Sequence, residues 1–360
     1  MSENIHSIIV GTGSYMPTRR VYNNDFIGNE FYDPDGRKFE EKNEEIIEKF
    51  QKITGIAERR HVTDDLLTSD IAYLAAEDVF ESSKIDKESL DYIIVAHNFG
   101  DVSADNKRSA FVPSLASRVK QKLGIENPKT ISYDIIFGCP GWLQGMIHAD
   151  YFLKSGDTKR ILVIGAEVLC RISDPHDRDS MIYADGAGAA VVEATTSREP
   201  VGILSHAMRS DTLNHAYMLR MGKSYGPHYE GNELFLKMDG RRLYEYALMT
   251  VPKVVRESLV KAGLSLGDIK RVLLHQANGK MDEAILKRLY KSYGEKEVPA
   301  YVMPMTISWL GNSSVATLPT LLDLLLKGKL ENHELEKGDI VVFASVGAGM
   351  NINSMVYKMP

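Results

Sequence analysis

Short apolar runs alternate with longer stretches of helical periodicity along most of this chain. Tyr92–Ala96 and Ile161–Gly165 have the β-branched, apolar character of buried strands, and Ile8–Val10 is a shorter run of the same kind. Between these runs, Ser69–Ser83 and Trp142–Leu153 carry apolar residues at helical spacing, with Ser69 as the expected N-cap. Strands that alternate with helices are typical of α/β proteins, which is the fold class we predict.

The same order of elements occurs twice. In the first half, the helix that ends at Ser83 leads to an apolar run that ends in His97; in the second, a helix over Leu243–Ala262 leads to a run that ends in His275. Later, Gly138-Cys139 and Gly311-Asn312 each precede a helical stretch and another apolar run.

This repetition predicts two copies of one α/β unit, which we assign to residues 1–198 and 199–360. Cys139 and Asn312 then occupy equivalent positions, and pairing of the copies would bring them to one shared site. A chance similarity between two α/β stretches is the alternative. Residues 29–49 are polar, contain Asp33-Pro34-Asp35-Gly36, and are predicted to form an exposed insertion in the first unit.

Composition narrows the function classes. The chain has 360 residues, with 44% hydrophobic and 26% charged positions, values typical of a globular protein with a sizeable core. Its net charge of −6 argues against a general attraction to nucleic acid or anionic membranes. Two cysteines and no apolar stretch of membrane-spanning length favour a soluble, cytoplasmic protein without a disulfide framework.

Cys139 is the strongest candidate for chemistry. An apolar run over Ile131–Phe137 stops at Gly138-Cys139-Pro140-Gly141, and a helix is predicted to follow with Pro140 at its first position. A thiol at a helix N-terminus is expected to favour its thiolate, the nucleophilic form. A packed core cysteine is the alternative.

Three further positions could share this site, although each has a plain structural alternative. His275 follows a buried strand and could act as a base or hydrogen-bond donor in thiol chemistry. Asn312 could donate through its amide, or could only cap a turn. The glycine-rich strand end around Ala348 could bring a backbone N–H close to a ligand oxygen.

Taken in order, these motifs resemble β-ketoacyl-[acyl carrier protein] synthase III, a family of the thiolase-like superfamily. The resemblance rests on the cysteine corner, His275-Gln276-Ala277-Asn278, Gly311-Asn312-Ser313-Ser314 and Gly347-Ala348-Gly349. It extends over nearly the whole chain outside residues 29–49. The further matching stretches are Gly11–Pro17, Thr54–Arg60, Asp174–Arg178 and Tyr183–Ala190.

The resemblance implies a five-layered αβαβα fold, a homodimer and an acyltransferase that joins acyl units in fatty acid or related synthesis. Cys139 would take an acyl group from a thioester, and a malonyl-type thioester would then lose carbon dioxide and attack that group. His275 and Asn312 would donate hydrogen bonds to the thioester oxygen, while the backbone N–H groups of Cys139 and Ala348 would form the oxyanion hole. No metal or bound cofactor is expected, since the substrates are acyl thioesters of phosphopantetheine or coenzyme A.

An acyl carrier protein is the partner that the resemblance implies, and Lys280, Lys287 and Arg288 match the family's basic docking surface. An ordinary solvated helix face is the alternative. Lys49 and Ile53 stand where the family has a tryptophan and an arginine for coenzyme A, which favours a carrier-bound primer. Val112 replaces a phenylalanine that reaches into the partner subunit's acyl pocket, which suggests medium or long acyl chains.

Two other patterns suggest ligands but have simpler explanations. Gly11-Thr12-Gly13 lacks the third glycine of a dinucleotide fingerprint, and Pro17 interrupts the helix that the motif needs. The acidic loop with Asp174 and Asp177 is interpreted as ion-paired with Arg171 and Arg178 rather than as a metal site.

Two rival functions stay open at this point. One is an acyltransferase on the same scaffold that passes acyl groups from Cys139 to oxygen or nitrogen without decarboxylation. The other is a catalytically silent subunit of a lipid or polyketide assembly. The residues do not identify the acyl primer, the pathway or the dimer interface.

Overall fold

The computed structural model describes residues 4–360 as thirteen strands and nine α-helices, joined by loops and short 3-10 turns. The strands are β1 (Asn4–Tyr15), β2 (Arg19–Tyr22), β3 (Glu58–His61), β4 (Tyr92–Ala96), β5 (Ile131–Ile135), β6 (Arg160–Val168), β7 (Asp185–Ser197), β8 (Gly202–Ser210), β9 (Leu219–Gly222), β10 (Phe235–Met238), β11 (Ile269–Leu274), β12 (Ile340–Gly347) and β13 (Asn351–Lys358). The helices are α1 (Asn43–Thr54), α2 (Thr68–Ser83), α3 (Leu115–Lys122), α4 (Gly141–Ser155), α5 (Thr212–His215), α6 (Gly240–Ala262), α7 (Gly279–Ser292), α8 (Ile307–Leu310) and α9 (Thr317–Leu326).

Two main sheets repeat one strand order. The first sheet runs β1-β7-β6-β4-β5 and the second runs β8-β13-β12-β11. Each element of the second sheet has its counterpart in the first, and only β5 lacks one. All strands of the first sheet precede residue 198 and all strands of the second follow it, so the duplication predicted from the sequence is present in the fold.

Five layers follow from how these sheets bury their two faces. One core cluster joins α2 and α3 to the outer face of the first sheet, and another joins α6 and α7 to the outer face of the second. The central cluster joins the inner faces of both sheets through α4 and α9. This is the αβαβα arrangement predicted for a thiolase-like protein.

Strand alternation decides which side chain enters which layer. In β6, Ile161 and Val163 belong to the central cluster, whereas Leu162 and Ile164 belong to the outer one. Across the central layer, Trp142 of α4 contacts Phe343 of β12, with ring centroids 6.1 Å apart. Burial of one such phenylalanine contributes about 1.5–3 kcal/mol, so this layer holds the two units together.

Helix α2 begins one residue earlier than predicted, and Ser69 is not its cap. The carboxylate of Asp70 accepts a hydrogen bond from the backbone N–H of Leu67, at 2.8 Å. Ser69 lies inside the helix, where its N–H and hydroxyl both donate to the buried carboxylate of Asp101 at 2.7 Å. Ser69 therefore bonds to a residue distant in sequence instead of capping the helix as predicted.

Residues 29–49 form less of an exposed insertion than predicted. Phe31 is 1% exposed, and Ile46 and Ile47 of α1 are also buried. All three belong to a hydrophobic cluster that includes Phe50 and Ile182. The many charged residues of this segment led to the prediction of an exposed insertion. Helix α1 is amphipathic, however, with its isoleucines packed against the protein and its acidic residues facing solvent.

Gly11 and Gly13 lie within β1 and have a packing role. A Cβ atom on Gly13 would lie 2.5 Å from the backbone oxygen of Ala75, so its absence lets α2 approach the strand closely. This packing role agrees with the prediction that Gly11 and Gly13 do not form a dinucleotide-binding motif. Across residues 4–360, no helix combines the length and apolar character needed to span a membrane.

Candidate functional site

A cavity of about 900 Å³ opens where the two units meet, at the carboxyl ends of their strands. Cys139, His275, Asn312 and Ala348 all line it, so the residues predicted from separate parts of the chain face one space. Apolar side chains of the cluster around α1 form much of the remaining wall. The site is therefore a deep, mostly apolar pocket with a few polar groups, as expected for a thioester with an acyl chain.

Cys139 lies in the corner between β5 and α4, as predicted, but the local boundaries differ. Strand β5 ends at Ile135 rather than Phe137, and α4 begins at Gly141. Pro140 is the N-cap residue rather than the first helical residue, with φ −71° and ψ 0°. Gly138 turns the chain with a φ of 67°, a conformation in the left-handed region that favours glycine.

Two glycines bring the corner against the end of β12. A Cβ atom on Gly347 would lie 2.4 Å from the backbone nitrogen of Cys139, and one on Gly138 would lie 2.6 Å from that of Ala348. Only glycine at both positions allows the two backbone segments to come this close. The backbone nitrogens expected to form an oxyanion hole thus belong to neighbouring segments at the cavity wall.

Burial raises the pKa of the Cys139 thiol to about 11. The hydroxyl of Ser314 opposes this rise by donating to the sulfur at 3.5 Å, whereas the carboxylate of Glu167 adds to it. Burial therefore opposes the expected effect of the helix N-terminus, which favours the thiolate. Burial favours the thiol form, so nucleophilic attack by the sulfur requires a group that takes its proton.

Asn312 is held so that its amide nitrogen is left for the cavity. Its backbone N–H donates to the backbone oxygen of Ile182 at 3.1 Å, and its backbone oxygen accepts from the N–H of Ala184 at 2.8 Å. The side-chain Oδ1 accepts from the backbone N–H of Ser314 at 2.9 Å. Because that bond occupies the oxygen, the Nδ2 group is the donor that can face a substrate.

His275 follows β11 directly, and a contact between its Nδ1 and the hydroxyl of Thr317 orients its ring. Its Nδ1 lies 2.6 Å from the hydroxyl of Thr317, which donates in turn to the backbone oxygen of Ser314 at 3.1 Å. Nδ1–H is then the donor to Thr317, which leaves a lone pair on Nε2. Burial lowers the pKa of His275 to about 3, which favours the neutral ring, and in this tautomer Nε2 can accept a hydrogen bond. The predicted donor role requires a proton on Nε2.

Three residues of the site were not identified from the sequence. Ser314 contacts the sulfur of Cys139, Asn98 donates to Ser314 at 3.1 Å, and Glu167 accepts from Asn98 at 2.6 Å. The internal duplication contained a signal for one of them. Asn98 follows His97 at the end of β4, the strand that corresponds to β11 with His275.

The acidic loop after β6 holds a lysine. Lys237, which is 1% exposed, pairs with Asp174 and with Asp177, its Nζ lying 3.2 Å from the Asp177 carboxylate. Arg171 donates instead to backbone oxygens, and Arg178 lies over the ring of Phe39. The predicted pairing with these two arginines is wrong, because Lys237 of β10 pairs with both carboxylates instead.

The three predicted docking residues are exposed on α7. Lys280 pairs loosely with Glu283 at 3.4 Å, and Arg288 contacts the sulfur of Met249. Met281, a buried residue of the same helix, lines the cavity. The three basic residues therefore lie on a helix that borders the cavity.

Sequence and structure comparisons agree with this geometry. Residues 133–212 match the family domain 3-oxoacyl-[acyl-carrier-protein (ACP)] synthase III, and residues 259–359 match its C-terminal domain. The β-ketoacyl-[acyl-carrier-protein] synthase III of Ehrlichia canis (strain Jake) is 32% identical over 354 residues, 98% of this chain and 99% of that protein. The chain belongs to the β-ketoacyl-[acyl carrier protein] synthase III family.

Solved structures of synthase III and a related enzyme have the same fold. The synthase III from Thermus thermophilus superposes with a TM-score of 0.80 at 29% identity, covering 98% of this chain and 99% of its own. A priming β-ketosynthase from a polyketide biosynthetic pathway superposes with a TM-score of 0.81 at 25% identity, covering 100% and 98%. The thiolase-like fold predicted from the sequence is confirmed.

The departures from the synthase III pattern lie at two different places. Lys49 and Ile53 of α1 line the cavity, and Lys49 pairs with Glu41 at 3.3 Å. Val112 is 90% exposed on the surface of the chain. The first two residues thus line the cavity of this chain, whereas Val112 does not.

Proposed function

We propose that this protein catalyses the decarboxylating Claisen condensation of a Cys139-bound acyl group with a malonyl-type thioester. The product is a β-ketoacyl-[acyl carrier protein]. The observation that carries the proposal is that Cys139, His275 and Asn312 line a single cavity in a member of the synthase III family.

The first half-reaction transfers the acyl group to Cys139. The Nε2 lone pair of His275 takes the thiol proton as the sulfur attacks the thioester carbonyl. The backbone N–H groups of Cys139 and Ala348 stabilise the tetrahedral oxyanion. When the intermediate collapses, the carbon–sulfur bond to the donor breaks, and the leaving thiolate takes the proton back from His275.

The second half-reaction consumes one proton. The negative charge of the malonyl group favours a protonated His275, so that Nε2–H and the Nδ2 amide of Asn312 both donate to the thioester oxygen. The bond to the carboxylate breaks, carbon dioxide leaves, and the electron pair forms an enolate that attacks the acyl-cysteine. Cys139 departs as a thiolate and takes the proton from His275.

An amide at position 312 favours this reaction over transfer to oxygen or nitrogen without decarboxylation. Decarboxylation generates an enolate that the Nδ2 donor of Asn312 can stabilise, whereas transfer to oxygen or nitrogen forms no enolate. We expect acylated protein to release carbon dioxide from malonyl-carrier and to form a β-ketoacyl-carrier. Acyl transfer to an alcohol or amine with no carbon dioxide released would favour the rival activity.

The primer is proposed to be a medium or long acyl chain delivered by an acyl carrier protein. The cavity of about 900 Å³ is large for an acetyl group, and Lys49 and Ile53 offer no aromatic surface for an adenine ring. The same site takes the malonyl-type thioester, whose phosphopantetheine arm would run along the apolar wall.

The carrier would dock on the basic face of α7, where Lys280, Lys287 and Arg288 can pair with acidic residues of the carrier. We expect the combined substitution of all three by Glu to raise the KM for malonyl-carrier by about tenfold or more. The kcat should change little. Steady-state kinetics at low and high salt provide the measurement.

Lys261→Glu is the control for this experiment, because Lys261 is also exposed, on the neighbouring helix α6, where it pairs with Glu257 and donates to the backbone oxygen of His206. Its KM should stay near that of the unaltered protein. An unchanged KM in the triple variant would place carrier docking elsewhere.

We also propose a homodimer through the edge of the first sheet. Strand β5 is an edge strand, and Ile131, Phe111 and Val112 form exposed apolar surface nearby. Light scattering should report about twice the chain mass of 40.2 kDa. The mass of a single chain at micromolar concentration would contradict this assembly.

A further inference from the structure

A chain of buried polar groups runs from the first sheet to the sulfur of Cys139. Glu167 of β6 is fully buried, and its Oε2 accepts a hydrogen bond from the Nδ2 of Asn98 at 2.6 Å. The same Nδ2 donates to the hydroxyl of Ser314 at 3.1 Å, and that hydroxyl lies 3.5 Å from the Sγ of Cys139. Buried polar groups are costly unless they are paired, so this continuous chain needs an explanation.

The direction of each hydrogen bond follows from the amide of Asn98. Its Oδ1 accepts from the backbone N–H of Gly138 at 2.9 Å, so both protons of Nδ2 are available, one for Glu167 and one for Ser314. The Ser314 oxygen is thereby an acceptor from Asn98. Its own proton is left to point at the sulfur.

The backbone of Ser314 supports the same arrangement. Its φ is 53°, in the left-handed region that non-glycine residues rarely adopt, and its N–H donates to the Oδ1 of Asn312. Ser314 thus contacts the nucleophile through its side chain and fixes the amide of Asn312 through its main chain. Strained residues held by their surroundings often belong to functional sites.

We propose that Ser314 is a catalytic residue whose hydroxyl donates a hydrogen bond to the sulfur of Cys139 whenever that sulfur carries negative charge. Asn98 and Glu167 are positioning residues that keep the hydroxyl in its donating orientation. The proposal deepens the proposed function, since it rests on Cys139 as the nucleophile.

The chemistry needs such a donor twice. The thiolate forms during attack on the donor thioester, and it forms again when the sulfur leaves the condensed product. A hydrogen bond to a charged acceptor is stronger than one to a neutral acceptor, so Ser314 favours the thiolate over the thiol. Ser314 accordingly opposes the rise that burial imposes on the pKa of Cys139.

The test is the rate at which iodoacetamide alkylates Cys139, followed by intact mass between pH 7 and 10 in Ser314→Ala and Ser314→Gly. Loss of the donor should shift the rate–pH profile upward by about one unit, which makes alkylation about tenfold slower at a given pH. Glu167, His275 and Tyr183 are the titratable groups around the sulfur, and all three stay in place in both variants.

The two substitutions separate the hydroxyl from the backbone. Glycine relieves the left-handed conformation and alanine does not, so equal shifts in both variants identify the hydroxyl as the cause. Ser313→Ala is the matched control, since the neighbouring serine is also buried but does not line the cavity. Unchanged profiles in both Ser314 variants would overturn the proposal.

A double-mutant cycle tests the positioning role. Asn98→Ala should shift the profile in the same direction, and adding it to Ser314→Ala should have a less than additive effect, because the two changes share the hydrogen bond to the sulfur and only Asn98→Ala also removes the bond to the Gly138 N–H. Full additivity would contradict the positioning role. Alkylation needs no substrate, so these results stand even if Cys139 takes no acyl group, an outcome that would refute the proposed function alone.

Discussion

Cys139→Ala is expected to abolish the covalent acyl adduct and to lower the rate of condensation by about a thousandfold or more. The cysteine is the only nucleophile among the residues that we assign to the reaction, and the growing chain is held on it during both half-reactions. The measurement is intact mass after incubation with a panel of acyl carriers and acyl-CoA esters. The panel also reports the primer, since exclusive labelling by acetyl groups would contradict the proposed longer chains.

Cys170→Ala is the control for this experiment. Burial raises the pKa of the Cys170 thiol well above its ordinary value, and this residue packs beside the outer core cluster of the first sheet. The adduct should form normally when Cys170 is replaced. An adduct that persists in Cys139→Ala would show that the central assignment is wrong.

Asn312→Asp is expected to separate the two half-reactions. The carboxylate can still accept the hydrogen bond from the N–H of Ser314, but it removes the Nδ2 donor and brings negative charge toward the enolate. Loss of one such donor lowers the rate by about 10²–10³-fold, so release of carbon dioxide from malonyl-carrier should fall by that factor. Acylation of Cys139 should still be detected by intact mass.

Asn332→Asp provides a matched control, because Asn332 is an exposed residue after α9 and does not line the cavity. Its rate of decarboxylation should equal that of the unaltered protein. Loss of acylation together with decarboxylation in Asn312→Asp would contradict a role confined to the malonyl half-reaction.

Much of the architecture could be predicted from periodicity and repetition. Strand β4 spans the predicted residues, and the two sheets share one strand order because the chain repeats one series of elements. The positions of Cys139, His275 and Asn312 could also be predicted. Each follows a strand or a turn at the end where ligand sites collect, and such corners are visible in the residue pattern.

The surroundings of these residues were harder to predict. Ser314 lies 175 residues from Cys139 and 216 residues from Asn98, and no local pattern links side chains across such distances. The pairing of Lys237 with Asp174 spans 63 residues and replaced the nearby arginines that the sequence suggested. Local spacing identifies the nearest partner along the chain, whereas packing brings other partners closer in space.

Periodicity and residue order were sufficient for the duplicated fold, the strand-to-helix corner and the positions of the candidate reacting groups, because these depend on neighbours in the chain. The protonation states of Cys139 and His275 depended on enclosure, which desolvates each group and shifts its pKa toward the neutral form. The Ser314 hydroxyl, which counters this effect at Cys139, and the Asn98 amide, which orients that hydroxyl, come from different units, and only packing brings them together.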